Sequence, residues 1–72
     1  MEEKKLEFAV FCIENIAAQL KKDGQAVFED LTEKSNLLYG YILPNYEILH
    51  TQGKEYIVED IIELMREDGL CA

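Results

Sequence analysis

The chain reads as an all-α domain: a compact bundle of four short helices, or five if Pro44 divides the third. Three observations lead there. Apolar residues recur three and four positions apart through almost the whole chain, the period of a helix with one buried face. Asp23-Gly24, Pro44, Gly53 and Gly69 fall between the periodic stretches, where chain breakers belong. Only Leu37–Leu43, with its Tyr and Ile, also suits a strand, and it has no obvious partner strand.

The first helix is expected from Glu3 to Lys22. On a wheel, Leu6, Ala9, Val10, Ile13, Ile16, Ala17 and Leu20 share one face, and Glu3, Lys4, Glu7, Glu14 and Lys21 the other. Acidic residues lead it and Lys21-Lys22 close it, in keeping with the helix dipole. Asp23-Gly24 is expected to stop it, glycine tolerating the left-handed backbone of a helix end. Phe11 is the exception: it projects from the polar side, either as part of a wide apolar face or as an exposed anchor for another chain.

The second helix is expected from Gln25 to about Ser35, with Val27, Phe28 and Leu31 inward and Glu29, Asp30, Glu33 and Lys34 outward. So short a helix holds only when docked on its neighbours. In the third segment Leu38, Ile42, Tyr46 and Leu49 keep helical spacing, and Asn36 is a candidate N-cap. Pro44 lacks an N–H and crowds the carbonyl four residues back. The favoured reading is a short helix ending near Leu43 and a second starting at Pro44; one kinked helix is the alternative. After a turn at Thr51-Gln52-Gly53 comes the clearest element, Lys54–Asp68. Ile57, Val58, Ile61, Ile62, Leu64 and Met65 line one side, Glu59, Asp60, Glu63, Arg66 and Glu67 the other, and Gly69 ends it.

Seventy-two residues, 49% hydrophobic and 31% charged, make one domain, 1–72, with residues 1–4 and 70–72 expected to fray. A chain of this size buries only about 60% of its unfolded surface, so the core is modest. Fifteen acidic residues against seven Lys and Arg leave a net charge of -8, which repels phosphate backbones and disfavours nucleic acid as a partner. No apolar run is long enough to span a membrane, and Met1-Glu2-Glu3-Lys4-Lys5 does not start a signal peptide. The cytoplasm is therefore the expected compartment, where Cys12 and Cys71 stay reduced. Cys12 sits in the apolar run Phe8–Ile13 and reads as a small core residue; no sequence cue links it to His50, the only histidine. Two Cys and one His at no ligand-like spacing make no metal site, and no cofactor or catalytic set is expected.

Three features are candidates for contact with other molecules. From Glu47 onward, seven acidic residues face two basic ones; Glu59, Asp60 and Glu63 belong to this surface, which either solvates the helix or meets a basic partner. The run Tyr46–Tyr56 sets His50, Thr51 and Gln52 near a helix start, as an anion seat or as helix caps and loop ties. Gly53 would permit a tight turn, with Tyr46 and Tyr56 packed around the corner. Finally, tyrosines concentrate in the second half beside Phe11 and Phe28, and a second copy of the chain could cover them.

Phe11-Cys12-Ile13-Glu14, then Asn45 through Gly53, then Tyr56 through Ile61, resemble a family of very small bacterial proteins known only as domain of unknown function 3791. The resemblance runs from about Leu6 to Met65, and its most specific part is Leu49-His50-Thr51-Gln52-Gly53 with Tyr56-Ile57 behind it. It implies a stand-alone cytoplasmic helical domain without established enzyme activity. Some members are similar to small reading frames beside toxin-like genes, including ADP-ribosyltransferase-like ones, which implies an antitoxin-like role. The family offers no catalytic residues to carry over. The expected function is accordingly a non-enzymatic protein-interaction module, with a small-ligand or anion site at the His50–Lys54 turn as one alternative. A helix-turn-helix regulator is the other, weakened by a last helix that holds only Arg66 well inside it.

Overall fold

A computed structural model describes residues 3–70. It contains helices α1 (Glu3–Leu20) and α2 (Gly24–Thr32), a π-helical turn (Leu38–Ile42), and helices α3 (Tyr46–Leu49) and α4 (Lys54–Glu67). Among the described residues there is no strand, so the all-α bundle stands, and Pro44 does divide the third segment. The radius of gyration is 11.0 Å, against about 11 Å expected for a well-packed chain of this length.

α1 is the spine, packing against both α2 and α4. Its buried residues are Phe8, Ala9, Cys12, Ile16 and Ala17. This corrects the expected face: Leu6 and Val10 are 52% and 44% exposed, while Phe8 and Cys12 point inward. The reason is the length of the neighbour. α2 has nine residues, about 14 Å of helix, and cannot shadow the eighteen of α1, about 27 Å. Along one flank, Ala17 is buried, Ile13 half-buried, and Val10 and Leu6 open.

The end of α1 also differs from expectation. The left-handed residue is Lys21, φ 56°, and Gly24 instead opens α2. Lys22 N–H bonds the Ala17 carbonyl at 2.9 Å and Lys21 N–H that of Ala18 at 3.4 Å, the paired bonds of a Schellman ending. A side chain at positive φ costs about 1 kcal/mol that glycine avoids. Lys21→Gly is therefore expected to stabilise the fold by about 0.5–1 kcal/mol, read as a higher midpoint in urea. α4 closes by the same motif with the favoured residue: Gly69 has φ 76°, and Leu70 N–H reaches the Met65 carbonyl at 2.8 Å. Leu70 then packs against the core, and Glu3 and Lys4 already lie in α1. Of the residues expected to fray, 1–2 and 71–72, with Cys71, lie outside the described residues.

In α2, Val27 and Leu31 face the core as expected, but Phe28 is 42% exposed and Asp30 only 3% exposed, the reverse of the expected sides. Asp30 is turned inward because it has partners. Lys22 donates to its Oδ2, and Lys34 lies 3.7 Å from its Oδ1. Ser35 then joins two elements: its hydroxyl donates to the Asp30 carbonyl at 2.8 Å and accepts Leu37 N–H at 3.3 Å. Ser35, not Asn36, thus ties down the start of the third segment. The break follows from Pro44. Leu43 N–H reaches back five residues to Leu38 at 3.0 Å, Pro44 donates nothing, and Asn45 N–H bonds the Tyr41 carbonyl at 3.2 Å. α3 consequently starts at Tyr46, two residues later than expected.

The core joins Cys12, Ile16, Val27, Leu31, Ile42, Ile57, Ile61 and Met65, every one almost completely shielded from solvent. Cys12 is fully buried, and burial pushes its thiol from 9.0 to about 12, so it stays a protonated core residue at neutral pH.

Candidate functional site

Two stripes with the same helical spacing build two surface depressions. On α1, Lys4, Glu7, Phe8 and Phe11 stand at positions i, i+3, i+4 and i+7 and so share a flank. On α3 and its C-cap, Tyr46 and His50 stand four apart. Together with Gln52 and Ile57 these residues line a cleft of about 330 Å³. Its walls are aromatic. The Phe8 ring meets Tyr46 edge-on, centroids 5.4 Å apart at 74°, and lies 6.2 Å from Phe11 at 21°. Tyr46 stacks on His50 at 4.5 Å and 12°. His50 Nδ1 is 2.7 Å from the Tyr46 carbonyl. A carbonyl only accepts, so Nδ1 carries a proton and donates to it.

The cleft gathers four of the residues singled out in the sequence: Phe11, Tyr46, His50 and Gln52. The other six fall elsewhere. Thr51 is exposed and donates to the Ile48 carbonyl at 2.7 Å, closing α3 rather than capping α4. His50 bonds within its own helix rather than across the loop. Gly53 is the N-cap of α4 with an ordinary extended backbone, φ -69°, and a Cβ there would meet nothing within 4 Å; the turn does not require glycine. Tyr56 is 56% exposed and leaves the corner to Tyr46 and Phe8. It joins Glu59, Asp60 and Glu63, again at i, i+3, i+4 and i+7, along a second hollow of about 360 Å³ on α4. Sequence reading missed Lys4, Glu7, Phe8 and Ile57 as cleft residues. The stripe spacing on α1 was the available signal.

Asp60 is half-buried rather than fully solvated, because the Tyr41 hydroxyl donates to its Oδ2. That hydrogen bond, with burial adding to it, raises the Tyr41 phenol from 10.0 to about 12. The neutral phenol is the form the fold favours. Its contribution is intact below pH 10 and is lost as pH rises through about 12. Titration followed by tyrosinate absorbance is expected to show a component near pH 12 that Tyr41→Phe removes. An unchanged curve would contradict the Tyr41–Asp60 bond.

Among the described residues, no group of three or more His, Cys, Asp or Glu is placed to hold a metal, and no helix is long and apolar enough to cross a membrane. The fold and site define a small helical domain with an open aromatic cleft on one side and an acidic hollow on another. The chain belongs to the family described as protein of unknown function (DUF3791), whose pattern matches residues 7–68. Neither a curated protein nor a solved structure gives a significant match.

Proposed function

We propose that this protein is a non-enzymatic interaction module that docks an apolar and acidic surface onto another protein. The observation that carries the reading is the uncovered flank of α1. Ala17, Ile13, Val10 and Leu6 form one stripe that starts inside the core and runs out into solvent. Isolated exposed apolar residues are ordinary, but a stripe continuous with the core is a surface that gains from being covered. Ile48, Tyr56 and Tyr39 are also more than half exposed. The net charge of -8 favours a basic partner and speeds its encounter. An antitoxin-like role in the cytoplasm, beside an operon-encoded toxin, is the form this takes if the family resemblance extends to gene context. A second copy of the chain is the competing occupant.

The test compares the intact chain with Val10→Glu and Leu6→Glu, each placing a charge on the exposed flank without touching the buried residues. The intact protein is expected to retain a specific protein from its host at physiological salt, and both variants to lose at least tenfold of it. Light scattering separates self-association, which gives a mass of twice 8.3 kDa that the variants return to 8.3 kDa. An 8.3 kDa particle with the same background proteins for all three chains would sink the reading. A ligand site confined to the His50–Lys54 turn draws less support, since Thr51, Gly53 and Lys54 do not line the cleft. The regulator alternative gains nothing from α4, whose Lys54 and Arg66 stand among five carboxylates.

A further inference from the structure

We propose that the occupant of the open flank of α1 is a basic amphipathic helix of a partner protein, about three turns long; this makes specific the interaction-module reading on which it rests. Shape comes first. α1 has eighteen residues and α2 nine, so α2 leaves about 13 Å of α1 without it as a neighbour. Leu6 and Val10 are exposed there and Ile13 is half-buried. Their spacing, i, i+4 and i+7, makes the ridge against which a second helix lays its apolar face. Charge then selects the occupant. At about 100° per residue, Glu3, Glu14 and Glu7 stand about 60°, 80° and 100° around the helix from Leu6, all to the same side. All three are exposed, and the salt bridges between described residues lie elsewhere, on Asp30 and between Arg66 and Glu63. The three carboxylates border the apolar ridge for about 16 Å, the length of three turns. Lys4 and Lys5 stand about 160° and 260° from Leu6, away from that border. A helix with Lys or Arg along one flank of its apolar face satisfies ridge and border together, as charged flanks set partner choice in paired helices. A second copy of this chain does not: it brings three more carboxylates to the same seam and a further net charge of -8. An anionic lipid surface is repelled for the same reason.

The experiment is a titration of the isotopically labelled full chain by two-dimensional NMR, at physiological salt, with three peptides of equal length. The first is helical, with leucine at heptad positions a and d and lysine and alanine elsewhere. The second has the same composition scrambled so that no apolar face forms, and the third replaces every lysine of the first with glutamate. The first is expected to bind saturably in the micromolar range, with its largest shifts at the amides of α1 from Glu3 to Glu14, and the other two at least tenfold more weakly. Glu7→Gln combined with Glu14→Gln is expected to weaken the first peptide at least threefold. Glu67→Gln combined with Asp68→Asn removes the same charge from the end of α4 and is expected to change binding less than 1.5-fold. Absence of saturable binding overturns the inference. So do shifts centred on α4, a scrambled peptide that matches the helical one, or an α4 variant that loses as much as the α1 variant. A host protein captured through Val10 that the helical peptide cannot displace would keep the module and discard the helix. Peptide binding along α1 with no captured host protein would keep the surface preference and discard the module.

Discussion

Replacing Lys22 with methionine is expected to destabilise the fold by about 2–3 kcal/mol, somewhat below the cost of breaking a wholly buried ion pair. The cause lies on the other partner. Asp30 is 3% exposed, so its carboxylate cannot turn to water when the ammonium is removed. Lys34, 3.7 Å from Oδ1 and itself mostly exposed, compensates only in part. The converse change should cost less, because the Lys22 side chain is 33% exposed and can return to solvent once Asp30 becomes asparagine. Lys22→Met combined with Asp30→Leu should recover most of the loss, since no charge is then stranded. Urea denaturation of the three variants checks the order. An Asp30→Asn change costing more than Lys22→Met would show that the carboxylate is not the group held out of water.

Ile61→Ala is expected to remove about 3 kcal/mol, through lost burial and the cavity left behind. Ile61 has no exposed surface and sits in the same core as Ile16, Ile42 and Met65, so no single neighbour can move in to fill the space. A core of this size supplies no more than about 3–5 kcal/mol. The variant should therefore be largely unfolded at 37 °C while the wild type is folded, as circular dichroism at 222 nm would show. A melting curve that overlays the wild type would mean that α4 does not seal the core.

The contrast between the two helix ends shows how far local chemistry was readable. Gly69 announced the end of α4, and the structure places it at the one glycine with positive φ. The same logic misplaced the end of α1, where Lys21 takes the left-handed position although Gly24 stands three residues on. What decides this is where the chain must turn for α2 to reach α1 and for Lys22 to reach Asp30. Pro44 was legible as a break because a missing N–H acts locally. Ser35 as the tie between α2 and the next turn was not, because it depends on two carbonyl and amide positions five residues and two residues away. The cleft was half legible. Tyr46 and His50 are close in sequence, whereas Phe8 reaches Tyr46 across thirty-eight positions of chain.

Periodicity and composition by themselves determined an acidic all-α bundle and the apolar side of α4, because each rests on interactions within a few residues; they marked Pro44 as a disturbance and left one kinked helix or two as the outcome. Only the tertiary structure decided which flank of α1 is buried, that Asp30 faces inward, and that Lys4, Glu7, Phe8 and Phe11 meet Tyr46 and His50. A helix's spacing defines a broad apolar arc, but the length and position of its neighbours choose the part of that arc that leaves water.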